Sequence, residues 1–319
     1  EIIYNSQTSA ASTPMSNQGW GQIRAKEFFN NINFLFPPKT VLEIGCQNGY
    51  LLYELYKRGA KKLIGIEPSP QVPFVKDDFE ANIYNEFFDH NRFEKESFDS
   101  VISLFVLEHL QNPTHYLKST ARVLTKNGQI IIAIPNASYQ MRMGDPGLFM
   151  HEHISHFTRQ SLRNIFSLAG LKIVNYNETK SDIYLVAQKE HDNISKLKTS
   201  NNSDWSDPLI QYDSALKNLL HRFKMNLINK SRVGLWGACP TSTNLISLSE
   251  ITNYVAFDGD SSKQNNKISG INGSILNPSS NNIKELVDTT AVIPLGYQKI
   301  IAKILKEYKV PYFELFNSS

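Results

Sequence analysis

VLEIGCQNGYLL, Val41–Leu52, decides the architecture of this chain. An apolar run ends in Glu43 and Gly45, a tight turn follows, and Gly49 stands at the mouth of an amphipathic stretch with Leu51, Leu52, Leu55 and Tyr56 on one face. That is a buried strand, a turn and a helix, with Gly59 as the helix stop. In a doubly wound sheet such a turn opens a ligand crevice at the carboxyl end of the strand. A dinucleotide would need its pyrophosphate on a G-x-G-x-x-G turn, and the spacing here is G-x-x-x-G. Glu43 at the lip of the turn disfavours phosphate and suits a ligand carrying ammonium and sulfonium groups. Glu67, closing the next strand, stands where an acid accepts hydrogen bonds from both hydroxyls of a ribose. Adenosine with a cationic tail satisfies both, and S-adenosylmethionine is that molecule.

Working outward, strand patterns at Lys62–Glu67, Ala81–Tyr84, Ser100–Phe105 and Gln129–Ile134 alternate with helical ones, including a helix from Asn112 to Gly128. Thr158 caps a helix ending at Gly170, and Leu171–Tyr176 and Ile183–Ala187 read as an antiparallel edge. The Asn/Ser-rich stretch 190–207 reads as a linker. Beyond it a helix over Pro208–Asn229 leads into a second strand-turn-helix at Arg232–Gly237 and Thr241–Ser249. Strands at Asn253–Asp258, Thr290–Leu295 and Pro311–Phe316 and the helix Gln298–Tyr308 complete that region. The expected organisation is an N-terminal segment 1–27, an α/β domain 28–189, the linker, and a smaller Rossmann-like α/β domain 208–319.

The 319 residues fit two domains at ~150 residues each. Thirty-three Lys and Arg against 30 Asp and Glu leave a formal charge of +3 without a basic stripe, so no nucleic-acid partner is expected. Apolar runs are strand-length, below the ~18 residues of a membrane helix. The N-terminus EIIYNSQT carries no secretion signal and no initiator Met. Cys46 and Cys239 lack Cys or His neighbours at zinc spacing, so a reducing cytoplasmic setting is expected. The segment Met150–Thr158, MHEHISHFT, concentrates three of the chain's 8 His. A metal reading of His151, His153 and His156 lacks a clear fourth ligand, and none is assigned. A catalytic reading uses a His, whose basicity suits neutral pH, beside a Glu that orients it.

VLEIGCQNGYLL, LIGIEPSP, FDSVISLFVLEHLQNP and ARVLTKNGQIIIAIPN together resemble the successive signature segments of class I S-adenosylmethionine-dependent methyltransferases, over roughly Phe28 to Gln188. The resemblance implies that fold, with its seven-stranded mixed sheet, and S-adenosylmethionine as cofactor. It implies cofactor contacts at Glu43, Gly45, Gln47, Gly49, Glu67, Pro68 and Leu104, with Phe87 or Phe88 beside the adenine. The E-I-G-C opening and HEHISHF resemble the sugar C-methyltransferase branch, as does the second α/β domain. This implies Glu152 and His153 as an acid/base pair, His109 near the methyl group, and a sugar acceptor, nucleotide-linked, methylated on carbon or oxygen. The chain departs from that branch at Met150, where a tyrosine stands, and in lacking paired C-x-x-C motifs. A non-sugar small-molecule acceptor and a non-catalytic scaffold are the alternatives.

Overall fold

The computed structural model describes residues 15–17, 19–70, 72–190, 206–267 and 270–316. The expected linker lies, apart from its ends, outside the described residues, as do residues 1–14. The described chain forms two compact units, one from 15–136 with 151–190 and one from 137–150 with 206–316.

In chain order the first unit begins with α1 (Gly19–Asn31), β1 (Thr40–Ile44), α2 (Tyr50–Lys57) and β2 (Lys62–Ile66). The short pair β3 (Val75–Lys76) and β4 (Phe79–Glu80) precedes β5 (Ile83–Tyr84), β6 (Phe98–Leu104), α3 (Pro113–Val123) and β7 (Leu124–Pro135). The chain then enters the second unit as α4 (Ala137–Met143) and returns as α5 (Arg159–Leu168), β8 (Leu171–Glu178) and β9 (Asp182–Lys189). The seven-stranded sheet runs β5-β2-β1-β6-β7-β9-β8, parallel as far as β7 and antiparallel through β9. Its strand order reverses at β1, between β2 and β6, which places a crevice at the carboxyl end of that strand.

The reason is visible in β1. Val41 and Leu42 point to opposite faces and both are fully buried, so the strand needs cover on each side. Leu42 joins a core with Phe98, Leu117, Ile132 and Phe166 on the α3 and α5 face. Val41 joins Phe28, Leu52, Leu55 and Ile131 on the α1 and α2 face. Asn112 caps α3 by accepting from the His115 amide (3.0 Å), with Pro113 in the first turn. The helix ends at Val123 and not at Gly128, because Leu124 is drawn into register with Phe98. The expected cap of α5 is present, with Thr158 Oγ1 accepting from the Ser161 amide at 3.1 Å.

The second unit continues with α6 (Ser206–Asn226), β10 (Val233–Trp236), α7 (Pro240–Ser249), β11 (Tyr254–Phe257), α8 (Ser280–Leu286), β12 (Thr289–Val292), α9 (Gln298–Tyr308) and β13 (Tyr312–Glu314). Its four strands form a wholly parallel sheet, β11-β10-β12-β13. Among the described residues no helix is long and apolar enough to cross a membrane.

Candidate functional site

After β1 the backbone doubles back on itself. Gly45 (φ 78°) and Gly49 (φ 80°) adopt left-handed conformations, which glycine takes without penalty. A Cβ on Gly45 would stand 2.6 Å from Val106 Cγ2, and one on Gly49 would stand 2.5 Å from Ala81 Cβ. The segment that follows β6 is therefore packed directly onto the turn that follows β1. Gln47 also has a positive φ, 51°. Its amide donates to Glu67 Oε2 at 3.1 Å, and the Ser69 amide donates to Glu67 Oε1 at 2.9 Å. Glu67 thus clamps the turn to the end of β2 while almost wholly buried.

Glu43 lies behind this clamp, buried, with Oε2 lacking any hydrogen-bond partner. Burial holds its carboxyl well above the usual carboxylate range, and the neighbouring Glu67 pushes it further the same way. The Cys46 thiol is raised by burial and then by the same two acids. Two acids and a thiol are crowded together here with no cation among the groups that shift them, an arrangement that a cationic ligand would relieve. Of the other residues expected on this side, Pro68 and Leu104 are half-buried at the ends of β2 and β6. Phe88 turns inward, edge-on to Tyr116 with centroids 5.9 Å apart, whereas Phe87 is exposed.

The second cluster follows β6. Glu108 is 2% exposed and neither of its carboxyl oxygens has a hydrogen-bond partner; burial pushes its pKa up to about 8. The amide of Ser155 donates to the Glu108 carbonyl (3.0 Å), pinning the histidine loop to this segment. His109 Nδ1 lies 2.8 Å from the Glu152 carbonyl oxygen. A carbonyl only accepts, so Nδ1 carries a proton and donates it to that bond. The His153 ring stands edge-on to His109 at 4.9 Å and to His156 at 6.3 Å. Burial first, and the two neighbouring imidazoles second, push His153 down to about 4, so it is neutral at pH 7. His151 is exposed, and the Glu152 carboxylate reaches toward it at 4.0 Å. Of the motif, then, His153 and His156 face inward, and Glu152 serves His109 through its backbone.

Three further ionisable groups, unmarked by any motif, lie nearby. Arg24 of α1 lies over the Phe105 ring at 4.5 Å, at a residue with φ 58°. Glu27, raised to about 7 by burial and then by Asp182, and the half-buried Asp182 at the start of β9 complete an acidic group around this cation. Asp182 acts on Glu108 more strongly than Arg24 does.

The second unit repeats the clamp. The Ala238 amide donates to Asp258 Oδ2 (2.8 Å) and the Asp260 amide to Asp258 Oδ1 (2.9 Å). Here, however, Lys263 Nζ lies 3.5 Å from Asp258 Oδ2 and donates to the Ala238 carbonyl at 3.0 Å.

Residues 20–176 match a family model described as a methyltransferase domain. The chain is 37% identical over 105 residues to a tRNA U34 carboxymethyltransferase of Aliarcobacter butzleri, covering 31% of this chain and 34% of that one. It is 28% identical over 176 residues to one of Campylobacter hominis, covering 52% and 58%. The chain thus spans from about a third to somewhat over half of these relatives' length. A solved S-adenosylmethionine-dependent methyltransferase of Mesorhizobium loti covers 51% of this chain and 96% of its own at 13% identity, with a TM-score of 0.42. The first unit is a class I S-adenosylmethionine-dependent methyltransferase domain, and its cofactor is S-adenosylmethionine. The expected sugar-nucleotide acceptor, and the expected absence of a nucleic-acid partner, are corrected by these relatives, which are named for tRNA. The physical reason is that a net charge near zero says nothing about local cationic surface, which is what phosphates meet.

Proposed function

We propose that this methyltransferase domain transfers a methyl group from S-adenosylmethionine to a nucleoside of tRNA. The observation that carries the acceptor class is the likeness to the tRNA U34 carboxymethyltransferases. The chemistry of the crevice supports the donor half. When bound, S-adenosylmethionine supplies a methyl on a sulfonium leaving group. Glu43, Gly45, Gln47, Gly49, Glu67, Pro68 and Leu104 form the donor side, with Phe87 and Phe88 toward the adenine. The Glu43–Glu67 pair favours the cationic donor over its neutral demethylated product, which assists turnover. His109, Glu152 and His153 form the acceptor side. Glu152 holds the His109 tautomer, and the neutral His153 presents a lone pair on the acceptor side.

A groove of about 460 Å³ along α5 and β8 is lined by Arg159, Arg163, Lys172 and Tyr176. Arg159 lies over the Tyr176 ring at 4.5 Å. Three cations beside one acid, Glu190, suit a phosphate backbone, and this surface lies away from the crevice on the sheet's edge strand.

The test is to incubate the protein with methyl-labelled S-adenosylmethionine and total tRNA, then digest to nucleosides. Label in a nucleoside is the expected result. Protein that binds S-adenosylhomocysteine in a calorimeter yet leaves every tRNA nucleoside unlabelled would refute the acceptor class.

A further inference from the structure

We infer that Glu108, His109 and His153 form a binding site for one divalent transition-metal ion. The three offer one ligand atom each, all within 4.8 Å of one another. Two imidazole nitrogens and one carboxylate oxygen are the donor set of an open, three-ligand zinc-type centre, with a position left for water or another oxygen. Tetrahedral bonds of ~2.1 Å place donors ~3.4 Å apart, so a set spread over up to 4.8 Å must draw in by up to about 1.4 Å. His153 rides on the loop between α4 and α5, outside any helix or strand.

Two independent features point to a cation here. Glu108 is buried with both carboxyl oxygens lacking any hydrogen-bond partner. A buried carboxylate in that state is costly unless it is neutralised or coordinates a metal. His109 is held by Nδ1 on the Glu152 carbonyl, the outer-shell contact that fixes a ligating imidazole with Nε2 free. The inference rests on the proposed function only in placing the ion on the acceptor side; ion binding itself is read separately.

Untagged protein stripped with chelator is titrated with Co²⁺ and followed by its visible absorption, and with Zn²⁺ by calorimetry. S-adenosylhomocysteine binding is measured on the same samples. One ion per chain is expected, with d–d bands of low symmetry. His153→Ala and Glu108→Gln are each expected to weaken the ion at least ~10-fold while S-adenosylhomocysteine affinity stays within about twofold. His153→Ala changes a half-buried loop residue, so it reports even if the Glu108 variant fails to fold. No bound ion in the wild type, or binding unchanged in His153→Ala, overturns the site. Loss of S-adenosylhomocysteine binding in the wild type would instead overturn the donor-side reading and leave the ion result standing.

Discussion

In the first unit the carboxylate after β2 accepts from the amides of Gln47 and Ser69; in the second the carboxylate after β11 accepts from those of Ala238 and Asp260. Both are an acid at the end of the second strand, clamping the turn that leaves the first. The two differ in what completes the charge. Lys263 supplies a cation to Asp258 from within its own unit, whereas Glu67 has beside it a second acid, Glu43, with an unpartnered oxygen. A shared backbone device is thus closed by the protein in one unit and left short of positive charge in the other. On the proposed reading, the cofactor is drawn to the first unit by the missing cation, since both units possess the strand-turn-helix geometry.

The sharpest break of this comparison comes from exchanging the charges. Lys263→Met strands a nearly buried carboxylate, and is expected to cost about 2–3 kcal/mol of stability in denaturant unfolding. Glu43→Gln removes one of two crowded acids, so the ligand-free protein is expected to gain about 1 kcal/mol while its affinity for S-adenosylmethionine falls. Two losses of stability would mean that Glu43 is paired and that the contrast between the units is false.

A gentler comparison uses matched amides. Glu67→Gln and Asp258→Asn each leave one clamping amide facing an amide donor, at about 1–3 kcal/mol apiece. Only Glu67→Gln is expected to weaken S-adenosylhomocysteine, by ~10-fold, the loss of one charged hydrogen bond to a diol. Equal calorimetric affinity in both variants would remove Glu67 from the cofactor site.

Much of this contrast is legible in the sequence. VLEIGCQNGYLL announces its strand, turn and helix because apolar run, glycines and amphipathic helix are contiguous, and the repeat at Arg232–Ser249 is read by the same signs. What escapes is whatever depends on distance along the chain. Arg24 and Glu27 of α1, Glu108 after β6 and Asp182 of β9 meet from three separate segments, and no local spacing joins them. Adjacency misleads in the opposite way at Glu152, whose neighbour His153 is not the imidazole it holds. Its carbonyl faces His109 and its carboxylate reaches toward His151. The end of α3 is hidden because Leu124 serves a strand pairing with Phe98 that only the folded sheet supplies. The cationic groove proposed for phosphate is hidden for a related reason, since Arg159, Arg163 and Lys172 gather on one face without forming a run in the chain.

The smallest effect is a pH dependence that should separate the units. Carboxyls raised in the fold bind protons that the unfolded chain has lost, so their stabilisation is present below about 4.5 and fades as pH rises through the folded values. Glu27 fades near 7 and Glu108 near 8, with Glu43 raised in the same direction. His153, depressed to about 4, runs oppositely, and stability from it grows as pH climbs from about 4 to 6.5. Above 6.5 only the carboxyls act, so the ligand-free first unit should lose on the order of 1 kcal/mol between pH 6.5 and 8. Tyrosine and tryptophan fluorescence melts of the full chain would show this as a falling midpoint, shallower in Glu43→Gln. A flat midpoint in the wild type over that range would mean that these acids are already neutralised by partners, and would erase the electrostatic difference between the two crevices.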